Sequence, residues 1–160
     1  MLNGKGNGEV VALGFTAGFI GAAAVLLTAR LVFYTGIGPA LGVTSPLSLA
    51  PPEVYRPLVW GGFWGIPLAF ILRSLKGHHD ALGFLYFLAP LAALYLIFMP
   101  AGGMGLFGLK GGPEIAVYAF IVNAPFGIAT TMAVAALCGP GEASASKPVI
   151  HVAPQPGLAP

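Results

Sequence analysis

A chain of 160 residues that is 57% hydrophobic and only 8% charged cannot cover the surface of a water-soluble domain, where about a quarter of residues are charged. Its 7 Lys and Arg against 5 Asp and Glu leave a net charge of +2, too small and too scattered for a nucleic-acid footprint, so no nucleic-acid partner is expected. The remaining class is an integral membrane protein whose first partner is the lipid bilayer. The predicted fold is all-α: a polytopic bundle of four transmembrane helices over residues 10–138, between a short N-terminal tail (1–9) and a disordered Gly, Pro, Ala and Ser-rich tail (139–160).

The first apolar segment runs from Val10 to Tyr34. A helix rises about 1.5 Å per residue, so about 20 apolar residues match a hydrocarbon core of about 30 Å. Lys5 ahead of an apolar stretch containing Ala22, Ala23 and Ala24 has the layout of a signal peptide. The stretch is longer than the roughly 7 to 15 residues of a signal core, and the segment reads as a retained span. Gly14 and Gly18 stand four apart on one helix face, where small residues let two backbones approach inside lipid. Arg30, near the far end, is placed to snorkel to the interface, with Glu53 or Glu114 as a partner there.

The connection from Thr35 to Pro52 mixes Gly36, Gly38, Pro39, Gly42, Pro46, Pro51 and Pro52 with apolar residues. It is expected to lie in the interface or to dip into a protein-lined vestibule. The second span, Pro57 to Leu75, carries Gly61 and Gly65 at the same four-residue spacing. Trp60 and Trp64, with Tyr55, Tyr34, Tyr95 and Phe98 at a similar level, read as an aromatic belt. His78, His79 and Asp80 form the densest polar cluster, in a short turn. They lack a third, distant ligand and read as a solvated turn, not a metal site; His151 is isolated in the tail.

The third span covers Ala81 to Met99, and the fourth, after a glycine-rich connection from Ala101 to Pro113, covers Ile115 to Cys138. Ala119, Asn123, Gly127, Thr131 and Ala135 continue the small-residue spacing along the fourth. The single cysteine, Cys138, forms no intrachain disulfide and reads as a small apolar residue. Pro67, Pro90 and Pro125 fall near the middle of three spans, each removing the amide that would bond Phe63, Tyr86 or Ile121. With Asn123, Thr130 and Thr131 they mark a candidate midplane polar site, suited to a polar solute or cation. The competing reading is that neighbouring helices satisfy these groups and the kinks merely shape the bundle.

Two short matches point to an internal duplication. Ala12-Leu13-Gly14-Phe15 recurs as Ala81-Leu82-Gly83-Phe84, with Ala23-Ala24-Val25 against Ala92-Ala93-Leu94 in the same register. Phe63-Trp64-Gly65-Ile66 matches Pro125-Phe126-Gly127-Ile128 at a shorter spacing, which fits the long stretch from Thr35 to Arg56. Such units are two parallel two-helix repeats, or the matches are chance in low-complexity helices. The basic cluster of Arg73 and Lys76 favours both termini in the cytoplasm.

No phosphate loop, nucleophile elbow, paired carboxylates or cysteine pair occurs. No catalytic, cofactor-binding or metal-ligating residue is therefore assigned, and no cofactor is expected. Gly14, Gly18, Gly61, Gly65 and Gly127 are assigned to helix packing. The expected function is a non-catalytic accessory, assembly or scaffolding subunit of a membrane complex in the cell membrane, partnered by other membrane subunits or by copies of itself. The alternative is a small oligomeric channel or carrier with a midplane polar site near Asn123.

Overall fold

The structure, a computed structural model, describes residues 2, 4–74 and 79–138, with the side chains of 79 and 80 left aside. Lys76, His78, Lys147, His151 and the tail at 139–160 lie outside the described residues, as do the side chains of His79 and Asp80. Among the described residues all regular structure is helical. In chain order the elements are α1 (Asn7–Tyr34), α2 (Ile37–Ala40), α3 (Tyr55–Ser74), α4 (His79–Tyr86), α5 (Leu88–Ala93), a π-helical turn (Leu94–Phe98), α6 (Met99–Ala101), a 3-10 turn (Leu106–Gly111), α7 (Pro113–Asn123) and α8 (Pro125–Cys138).

Three helical stretches are long and apolar enough to cross a membrane: Asn7–Tyr34, Ala81–Ala101 and Pro113–Cys138. The second expected span, α3, has 20 residues, but Pro57, Trp60, Gly61, Gly62, Trp64, Gly65 and Pro67 dilute its apolarity. Length alone therefore does not place it with the other three.

The helices run alternately up and down. α1 lies antiparallel to α3 on one side and to α7–α8 on the other, and α4 packs against α8. Close crossings are made by glycine. A Cβ at Gly65 would overlap the carbonyl oxygen of Gly14 and lie 2.6 Å from the Gly18 Cα; one at Gly14 would lie 2.8 Å from the Ile66 Cα. On the other pair, a Cβ at Gly127 would overlap the Gly83 carbonyl oxygen and lie 3.2 Å from the Phe87 amide nitrogen. A third crossing sets Gly21 against the Thr130 hydroxyl and the Phe126 carbonyl. Without a hydrophobic drive between helices in lipid, such backbone proximity is what dispersion and packing can reward.

The two ends of the bundle differ. At the end holding the start of α1 and the end of α8, Leu2, Val10, Ala17, Leu68, Leu72 and Val134 form a tight core. The Arg73 guanidinium donates to Asn7 Oδ1 at 2.9 Å, tying α3 to the start of α1, and Lys5 pairs with Glu9 one helical turn on. At the opposite end α1 stays packed on α7 through Ala29, Val32 and Val122. There α3 diverges from the α5–α6 stretch, with which it has no extensive backbone contact.

One sequence expectation is corrected, and two of the expected spans carry the irregularities their prolines predict. The third runs Ala81–Ala101 with a turn at Phe87, three residues before Pro90, which lacks the amide that would bond Tyr86, and with a π-helical turn at Leu94–Phe98. The fourth runs Pro113–Cys138, its two α-helices meeting at Ala124, just before Pro125. Arg30 pairs with neither Glu53 nor Glu114: its Nη2 donates to the Tyr34 hydroxyl at 3.1 Å, with the guanidinium 5.7 Å from that ring's centre. A partner one turn away on the same helix reaches Arg30 at less entropic cost than a loop carboxylate.

The glycine-rich connection holds an ordered 3-10 turn. Gly108 is buried there against Met99 and Ile115, and Phe107 sits at φ 56° with its ring 5.2 Å from that of Tyr95. The Tyr95 hydroxyl donates to the Ala116 carbonyl, joining the π-helical turn to α7.

Candidate functional site

Where α3 and the α5–α6 stretch diverge, the bundle encloses a cavity of about 600 Å³, within the range of about 300–1,000 Å³ typical of small-molecule sites. α3 contributes Arg56, Pro57, Trp60, Gly61 and Trp64; α1 contributes Ala22 and Val25. Pro90, Leu94, Phe98, Ala101 and Gly102 form the opposite wall, and Asn123 and Phe126 line it from the fourth helical stretch.

The local sequence explains the shape. Gly61 presses against Ala22, so α1 and α3 are held together there, while the bulky Trp60 and Trp64 keep α3 away from α5. The Trp60 ring meets Phe98 edge-on at 5.3 Å across the gap and Phe63 at 6.1 Å along its own helix. Below, the Tyr86 hydroxyl donates to the Trp64 carbonyl at 2.8 Å, a polar tie between α4 and α3 where the two helices come together. The cavity lining thus runs from mid-depth to the connections, and a packed core fills the other half of the bundle.

Its polar content is sparse. Among the described residues Arg56, exposed where the lining reaches the connections, is the only charged one on the cavity, and it makes no hydrogen bond or ion pair with them. Asn123 Nδ2 donates to the Ala119 carbonyl at 2.8 Å, and no described donor reaches its Oδ1. Among the described residues no group of three His, Cys, Asp or Glu is placed to hold a metal.

Of the candidate midplane residues, Asn123 and Pro90 line this cavity, and the other four lie elsewhere. Pro67 is exposed on the outer face of α3, and Pro125 follows the break in the fourth stretch. Thr130 is fully buried, its hydroxyl donating to the Phe126 carbonyl at 2.7 Å. The Thr131 hydroxyl is buried against Gly83 with no hydrogen-bond partner. These two threonines serve the helix crossings, which predicts opposite outcomes for one substitution. Thr130→Val removes a satisfied hydroxyl and is expected to cost about 1 kcal/mol, whereas Thr131→Val removes an unsatisfied one and is expected to be neutral or stabilising. Thermal melts of the two variants in one detergent check this.

Arg56, Trp60 and Trp64 are among the lining residues that the sequence reading did not place at a site. Trp60 and Trp64 are one turn apart, four residues after Arg56 and eight, so all three share one face of α3; that spacing was the available signal. No family of known proteins matches the chain, and neither a curated protein nor a solved structure shows significant similarity to it.

Proposed function

We propose that the chain is a four-span protein of the cell membrane, built from two parallel two-helix repeats, that acts as a non-catalytic accessory or assembly subunit. The repeat reading is supported by the register of the close crossings. Gly14 and Gly83 are equivalent in the first sequence match, and Gly65 and Gly127 in the second; Gly14 lies against Gly65 and Gly83 against Gly127. Chance similarity between apolar helices has no reason to bring matched residues into matched contacts. With α3 as one member of a repeat whose counterpart α7–α8 is long and apolar enough to span, α3 spans as well.

A subunit role is supported by one observation: the cavity lining reaches from the connections to mid-depth, and the other end of the bundle is filled by the buried Leu2, Val10, Leu68, Leu72 and Val134. Outward, Leu27, Leu31, Ile97 and Met132 are each at least 60% exposed, a surface for lipid or for neighbouring apolar helices. Purification in mild detergent tests the role: stable co-purifying membrane proteins are expected, and a protein that always isolates alone refutes it.

Reporter fusions test the topology. Fusions after Lys76 and after Cys138 are expected to report cytoplasm, and one near Lys110 the opposite side. A fusion in the 35–52 connection is expected to report the side opposite to Lys76, and the same signal at both would eliminate α3 as a span.

A second reading, a small channel or carrier, is favoured by the placement of Asn123 on the cavity at mid-depth. Asn123→Leu separates the two. For a subunit the change is expected to shift stability by about 0.5–2 kcal/mol and to leave the partner complex intact; for a channel it abolishes solute flux in liposomes while the protein stays folded.

A further inference from the structure

We infer that the cavity is a binding site for a single-chain anionic amphiphile, a long-chain carboxylate whose head is held by Arg56 and whose chain lies between Trp60, Trp64, Leu94 and Phe98. Whether the protein also joins a larger complex does not enter the inference.

Charge sets the class of ligand. Among the described residues Arg56 is the only charged one lining the cavity, where it reaches the connections, and no described acid pairs with it. A guanidinium in that position presents a planar fork of donors matched to a carboxylate. The walls beneath it are aromatic and aliphatic, as an acyl chain requires, and the Asn123 amide is the one polar side chain at depth. A cation is disfavoured by Arg56, and a wholly polar solute would lose its water against Trp60, Trp64, Leu94 and Phe98 without replacement hydrogen bonds.

The Trp60 and Phe98 rings meet at 5.3 Å across the gap between α3 and the α5–α6 stretch, which narrows the cavity there. A volume of about 600 Å³ suits one chain.

The chain carries 2 tryptophans, and both line the cavity, so their fluorescence reports occupancy in the unmodified protein. Dibromostearate, whose bromines quench tryptophan on contact, is titrated into the full-length protein in neutral detergent at mildly alkaline pH, with its uncharged methyl ester in parallel. The carboxylate is expected to quench saturably at a mole fraction about two- to fivefold lower than the ester, the preference given by a partly solvated ion pair. Arg56→Gln, an exposed position, is expected to erase that preference and leave the ester curve unchanged; Arg56→Lys keeps it. Equal quenching by acid and ester in the wild type, or a preference that survives Arg56→Gln, would overturn the assignment. Displacement of dibromostearate by phosphatidylglycerol as effective as that by stearate would overturn its restriction to one chain.

Discussion

Gly65→Leu is expected to destroy the intact bundle in detergent. At this crossing the groups that meet are backbone: a Cβ at Gly65 overlaps the Gly14 carbonyl oxygen and comes within 2.6 Å of the Gly18 Cα and amide nitrogen. No rotamer change relieves that overlap, so α1 and α3 must separate along the most extensive helix contact in the bundle. Overpacking a core ordinarily costs about 1–3 kcal/mol; here the displaced atoms belong to two helix backbones and the cost lies at or above the top of that range. Size-exclusion profiles and thermal melts read the result. Gly65→Ala is expected to be intermediate, while Gly8→Ala, where an added Cβ meets nothing within 4 Å, is expected to melt like the wild type. A wild-type melt for Gly65→Leu would mean that α1 and α3 do not meet on this face.

The same severity is expected of Gly127→Leu, and this second result bears on the repeat. The Gly127 Cβ would overlap the Gly83 carbonyl oxygen, with the Phe87 amide nitrogen 3.2 Å away, the counterparts of the Gly14 and Gly18 backbone around Gly65. If two equivalent hairpins each depend on one glycine seam, loss of either seam unfolds its own hairpin. Limited proteolysis would then show α4–α8 cut first in Gly127→Leu and α1–α3 cut first in Gly65→Leu. Cleavage that begins at the same place in both variants would argue against two hairpins as separate units.

The glycine spacing along α1 and α3 was legible because a seam between helices in lipid is written in small residues at a period of four. Its partner choice was not. Gly14 and Gly18 carry no mark that distinguishes α3 from α8, and α1 meets both, using Gly14 and Gly18 for one and Gly21 for the other. The midplane prolines were equally visible as chemistry and equally silent about direction: Pro90 faces the cavity, while Pro67, which removes an amide in the same way, faces outward within an unbroken α3. Arg56, Trp60 and Trp64 were hidden for another reason. An arginine and two tryptophans at a span end are what any interfacial belt contains, and only the divergence of α3 from α5 turns that belt inward. The pairing of Arg30 with Tyr34 could have been read from their four-residue spacing.

The π-helical turn at Leu94–Phe98 gives the two hairpins different geometries despite their shared seam. A π turn accommodates one more residue than an α turn in the same length of helix, and each residue in an α-helix advances the azimuth by about 100°. Everything beyond it is therefore rotated by about that angle relative to an uninterrupted helix, which is how Phe98 and Ala101 come to look into the cavity. The matching stretch of α1, beyond Val25, runs on as regular α-helix and packs closed against α7 through Ala29 and Val32. One residue's worth of helical phase thus separates a sealed contact between the hairpins from an open one. Deleting a single residue between Leu94 and Phe98 would rewind the turn and swing Phe98 away from Trp60, closing by geometry what no side-chain substitution along that wall would close by bulk.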